Sequence, residues 1–183
     1  MAGVRSTADA QRALAVASAT RVFARSGYHA TPVAAVATEA GISPAYVFRL
    51  FDGKLGLFVA ALDHCYSLVA RALREGAERA PHTTPTGILD AMGGAYADLI
   101  ADRDLLMLQV HAQSSCDVPE IRDAVRRGLA LVTDTATDLS GAGPDAVQRF
   151  LAYGQLCHLI VTTDLAEVPT SWAQTVTHGI RHP

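Results

Sequence analysis

The sequence predicts an all-α fold, and three observations predict it. Apolar residues recur at helical spacing along the chain, and no stretch of five or more residues joins strict alternation to β-branched enrichment. Alanine supplies 33 of the 183 residues. It is the best helix former and buries little area per residue, so its excess points to closely packed helices. The length favours one domain, or a small domain joined to a larger one.

Prolines mark where the helices begin. Thr31-Pro32, Ser43-Pro44 and Thr84-Pro85 each set a hydroxyl residue before proline, the N-cap and N1 pair that opens a helix. Asp117 ahead of Pro119, and Gly143-Pro144, are looser forms of the same signal. Between these marks helices are expected over 8–26, 32–40, 44–51, 54–79, 86–101, 104–115, 119–139 and 145–165, with a short last one over 171–180. Val16, Ala19 and Phe23 give the first helix its apolar face. Leu55, Phe58, Val59 and Leu62 do so for the fourth, and Leu89, Met92, Tyr96 and Leu99 for the fifth. The segment Ala80–Thr86, with two prolines, is the clearest mid-chain break.

Charge and composition exclude several classes. The longest uncharged stretch, Phe150–Thr163, has fourteen residues, too few for a bilayer span. No signal-length apolar run precedes Arg12, and three cysteines without a CxxC pair make neither a disulfide framework nor a zinc knuckle. A cytoplasmic protein is expected. Net charge is −3, unevenly spread. Residues 1–62 hold six basic groups against three acids, while residues 63–183 hold nine against fifteen. A positive head on a negative body suits a polyanionic partner.

Residues 32–51 carry the most informative pattern. Val33, Val36, Ala37 and Ala40 share one helical face, and Gly41 supplies the residue able to turn left-handed at its end. Ile42 plugs the corner, and Ser43-Pro44 opens a second helix. There Val47 and Phe51, four apart, face inward, so Ala45, Tyr46 and Arg49 face outward on the first turns. Two short helices joined by a glycine turn read as a helix-turn-helix, whose second helix meets base edges in the major groove. A solvated αα-corner is the plainer alternative for the same spacing.

The wider context resembles the N-terminal domain of the TetR family of bacterial transcriptional regulators. The family pattern is met at Phe23, Gly27, Tyr28, Thr31, Val33, Ala37, Ala40, Gly41, Ser43, Val47, Phe51, Lys54 and Leu57, with Val36 for the usual isoleucine. The resemblance implies a three-helix DNA-binding head, residues 1–53, followed by a helical ligand-binding and dimerisation bundle, residues 54–183. It further implies a homodimer on a palindromic double-stranded operator, acting as a repressor released by a small ligand. Two departures delete hydroxyls that commonly reach phosphate: Pro32 replaces Ser or Thr, and Phe48 replaces Tyr. The DNA-contacting set is therefore expected to be Thr31, Ser43, Pro44, Ala45, Tyr46, Phe48, Arg49 and Lys54, helped by helix N-terminal amides. Tyr46 either offers its phenol to a base or phosphate or packs against the neighbouring helix.

Polar groups lie on the body's apolar faces at Tyr66, Tyr96, Gln109, His111, Gln113, Tyr153, Gln155 and His158. Such groups orient a guest in a mainly apolar cavity, or serve as ordinary hydrogen-bonded core. Met92, Tyr96, Met107 and His111 are the expected ligand set, for a small and mainly apolar ligand. No metal site is expected, because His64-Cys65, His111, Cys116 and Cys157-His158 lack i,i+4 spacing. No cofactor and no enzymatic activity are expected, since hydrolase, zincin, P-loop and dinucleotide motifs are missing. The helix over 145–165 carries Val147, Leu151, Gly154, His158 and Val161 on one side and Phe150, Cys157 and Ile160 on another. That arrangement calls for its own bundle and a second subunit. The rival readings are a regulator of this fold without a small ligand, and a helical enzyme or carrier that retains the head.

Overall fold

The computed structural model describes residues 2–181, with side chains from Ala8 onward. Met1, His182 and Pro183, the outer bounds of the two expected domains, lie outside the described residues. The described residues form α1 (Ala2–Ala30), α2 (Val33–Ala40), α3 (Pro44–Phe51), α4 (Gly53–Glu78) and α5 (Pro85–Ile100). They continue with α6 (Arg103–Ser114), α7 (Pro119–Ser140), α8 (Pro144–Thr162) and α9 (Ser171–Thr177), and a 3-10 turn at Leu165–Glu167 joins the last two. No strand occurs among them.

Local chemistry explains most boundaries. Ser43 caps α3 by accepting from the Tyr46 amide, and Thr84 caps α5 by accepting from the Gly87 amide, each with proline next in line. Gly41 ends α2 in the left-handed region, with φ 66°. The Gly41 and Ile42 amides bond back to the carbonyls of Thr38 and Ala37, which closes the turn between α2 and α3.

Two expectations need correction. Thr31 does not cap α2: Pro32 holds that position, and Thr31 is buried with its hydroxyl donating to the Gly27 carbonyl at 2.7 Å. The helix expected over 145–165 stops at Thr162, because Asp164 turns left-handed and the chain winds into the 3-10 turn. Along this helix Val147, Cys157, His158 and Ile160 are buried within the chain, while Phe150, Leu151, Gly154 and Val161 are half-buried. Its exposed large apolar side chains are Tyr153 and Leu159.

The chain forms two compact units. The first joins residues 1–65 to 107–128 and the second joins 66–106 to 129–183. In the first, Phe23 and Phe58 meet edge to face with centroids 4.8 Å apart, and Tyr28 leans on Phe58 at 5.2 Å. Val36, Ala37, Val47, Phe51, Leu57 and Ile121 are buried in this unit. In the second, α5 packs on α8, and Ile160, Leu165 and Ala173 form a small core under Leu156, Val168 and Val176. By length and composition α4 could span a membrane, yet 44% of its most apolar window is buried inside the protein. Its apolar residues Leu57, Phe58, Leu62, Val69 and Leu73 are core.

Gly27 interrupts α1. Its φ of 71° and ψ of 179° fall in a region open essentially to glycine alone. A β-carbon there would stand 2.9 Å from His111 Nδ1 and 3.3 Å from Cγ. The imidazole of α6 thus occupies the space that the missing side chain leaves.

Candidate nucleic-acid interface

Cations of the positive head tie its helices together. Arg21 pairs with Glu39 at 2.9 Å, tying α1 to α2. Arg12 donates to the Leu50 carbonyl, with its guanidinium 4.4 Å above the Phe51 ring, which ties α1 to the end of α3. Lys54 donates to the His29 carbonyl at 3.1 Å and lies 4.7 Å over the Tyr28 ring. Partial burial lowers the Lys54 pKa from its ordinary value. A lysine near the last carbonyls of α1 also suits the negative end of that helix. One N–H of the ammonium is engaged there, and an ammonium has three, so the group retains donors for a phosphate.

The outward face of α3 is as the spacing requires. Val47 and Phe51 are buried, whereas Ser43, Pro44, Ala45, Phe48 and Arg49 are exposed. Tyr46 is half-buried, and the Arg49 guanidinium stacks 4.5 Å over its ring. Thr31 takes no place on this face, since only 1% of its surface is exposed. The grip expected from its hydroxyl is replaced by an internal role at the α1 break.

The four expected ligand residues divide between the units. Met107 and His111 lie in the first, where His111 packs under Gly27. Met92 and Tyr96 lie in the second, both buried. The Tyr96 hydroxyl meets His158 Nε2 at 2.5 Å across the α5–α8 contact. His158 is buried, its Nδ1 finds no partner among the described residues, and burial lowers its pKa to about 4, so the ring is neutral. His158 is one of the polar residues expected on the body's apolar faces and lies outside the expected ligand set. Only packing reveals its link to Tyr96, 62 residues away. A groove of about 230 Å³ in the second unit is lined by Ile100, Arg103, Ile160, Val161, Asp164 and Glu167, with none of the four expected residues. Among the described residues no group of metal-ligating side chains converges.

Two short helices joined at Gly41, the second capped by Ser43 and exposed on its outer face, have the form of a helix-turn-helix, the class of element that enters the major groove. Residues 15–61 match the family described as bacterial regulatory proteins, tetR family. Solved structures of the same fold agree across nearly the whole chain. FadR from Bacillus subtilis, in complex with stearoyl-CoA, is 17% identical with a TM-score of 0.71, covering 89% of this chain and 94% of that one. A TetR-family transcriptional regulator from Agrobacterium tumefaciens is 16% identical with a TM-score of 0.70, covering 93% of each chain. A third, from Streptomyces coelicolor, is 18% identical with a TM-score of 0.62, covering 87% of this chain and 86% of that one. No curated protein matches the sequence. Residues 15–61 thus carry a segment of the tetR-family type, and the chain as a whole shares the fold of these regulators.

Proposed function

We propose that this regulator binds a palindromic operator as a homodimer through α3, represses transcription in the cytoplasm, and is released by a small, mainly apolar ligand. The observation that carries the reading is the outward face of α3, where Ala45, Phe48 and Arg49 are exposed behind a Ser43 cap. Ser43, Pro44, Ala45, Tyr46, Phe48 and Arg49 form the groove-facing set, and Lys54 a phosphate contact. Asp52 and Gly53, two successive residues of positive φ, support a division into a DNA-binding part, residues 1–53, and a regulatory part, residues 54–183, although the first compact unit also takes in residues 54–65 and 107–128.

Tyr153 and Leu159, both more than half exposed on α8, support a second copy as the partner of that helix. For the ligand, the fully buried Met92 and the buried Tyr96–His158 pair supply an apolar wall with one polar point. A protein of this fold has been solved with stearoyl-CoA, which supports an apolar guest. A ligand that binds more tightly to a dimer whose heads are spread away from the spacing DNA requires must weaken DNA binding by the same coupling factor.

Selection from random duplex DNA with the purified chain tests this. An inverted repeat with half-sites about one helical turn, or a multiple of it, apart should be enriched, as two-fold symmetry requires. No enrichment even at low salt would remove the DNA-binding reading.

A further inference from the structure

The outward face of α3 is unusual in its chemistry. At 100° per residue Ala45, Phe48, Arg49 and Asp52 share one side of the helix, opposite the buried Val47 and Phe51, and all four are exposed. None carries an amide or hydroxyl, so the side chains that take adenine through paired hydrogen bonds are missing from this face. Phe23, Phe51 and Phe58 are buried, whereas Phe48 is 53% exposed.

The phenyl ring is also placed. A β-carbon on Gly53 would lie 3.4 Å from Phe48 Cε1 and 3.6 Å from Cδ1, so the ring edge rests on the α3–α4 turn. Arg49 is oriented by the Tyr46 ring beneath it. Asp52 stands at the C-terminal end of α3, away from the N-terminal turns that enter the groove. Beside the half-buried Tyr46, two readers stand on this exposed face: the apolar Ala45 and Phe48, and a single guanidinium. In the major groove an apolar side chain discriminates by touching the C5-methyl of thymine, and arginine by pairing with guanine O6 and N7.

We propose that Phe48, with Ala45, reads thymine in each half-site through its C5-methyl, beside a guanine taken by Arg49. This rests on the DNA-binding reading above. The thymine is chosen by burial of one methyl group and not by a hydrogen bond.

The test uses the operator enriched by selection, with each thymidine replaced singly by deoxyuridine. That change removes only the methyl and leaves every hydrogen-bonding group in place. The wild-type protein should bind about fourfold more weakly at one or two thymine positions per half-site, the effect of exposing one carbon group again. Phe48→Ala should bind thymine and uracil operators alike at those positions, and Phe48→Leu should keep part of the discrimination. Arg49→Ala should relax the preference for guanine and leave the thymine–uracil difference intact. If the wild type binds every uracil operator as tightly as the parent, or if Phe48→Ala keeps the full difference, the proposal is overturned while DNA binding stands. If no operator is enriched at all, both fall together.

Discussion

Replacing Gly27 by alanine tests how α1 is joined to α6. The backbone there, at φ 71° and ψ 179°, costs a residue with a β-carbon about 1–3 kcal/mol. Alanine recovers about 0.4–1 kcal/mol by restricting the unfolded chain, which offsets only part of that strain. The new β-carbon also stands 2.9 Å from His111 Nδ1, close enough that the ring must move. Crowding of this kind adds about 1–3 kcal/mol, giving a net loss of about 3 kcal/mol. For a chain of this length that is a fall in Tm of about 6–12 °C. Gly41→Ala is the control: its φ is 66° but nothing lies within 4 Å of the added carbon. It should cost only the left-handed penalty of about 1–2 kcal/mol. Helix circular dichroism during urea unfolding is the suitable assay, since the single tryptophan, Trp172, is exposed on α9. The double variant Gly27→Ala/His111→Ala should be about 1 kcal/mol or more better than the sum of the singles, because the overlap is gone while the strain remains. A Gly27→Ala variant within 0.5 kcal/mol of wild type, or a strictly additive double variant, would refute the reasoning.

Three further outcomes are expected. His158 has a folded pKa of about 4 against an ordinary 6.5, so the unfolded chain binds the extra proton between these values. Its stabilisation is full above about pH 6.5 and is lost as pH falls toward 4, amounting to about 3 kcal/mol. His158→Gln should lack that part of the pH slope in urea midpoints taken between pH 7 and 4.5, and an unchanged slope would contradict the assignment. Lys54→Ala should weaken binding to all operators alike and reduce the salt slope by about 0.9 per lost phosphate contact, which fluorescence anisotropy at several salt concentrations reads out. Leu159→Glu and Tyr153→Glu should shift the protein toward monomer in sedimentation velocity and weaken binding to a palindrome, and an intact dimer in both would place the interface elsewhere.

What the sequence determined on its own is what short-range interactions decide. A helix is built from i to i−4 bonds and closed by its neighbours, so Ser43-Pro44, Thr84-Pro85 and Gly41 state their boundaries without reference to the rest of the chain. The i,i+4 spacing of Val47 and Phe51 likewise settles which side of α3 is buried and which faces outward. The tertiary structure decided everything that depends on how helices meet. Thr31 has the local form of a cap, but packing buries it and turns its hydroxyl to Gly27. Lys54 is drawn onto the end of α1, and Arg12 and Arg21 serve the scaffold of the head. The pairing of Tyr96 with His158, the fit of His111 under Gly27, and the exposure of Tyr153 and Leu159 on α8 follow from how the helices pack. Helical periodicity tells which residues share a face, but which partner covers that face is set by ridges and grooves contributed by residues far away in the chain.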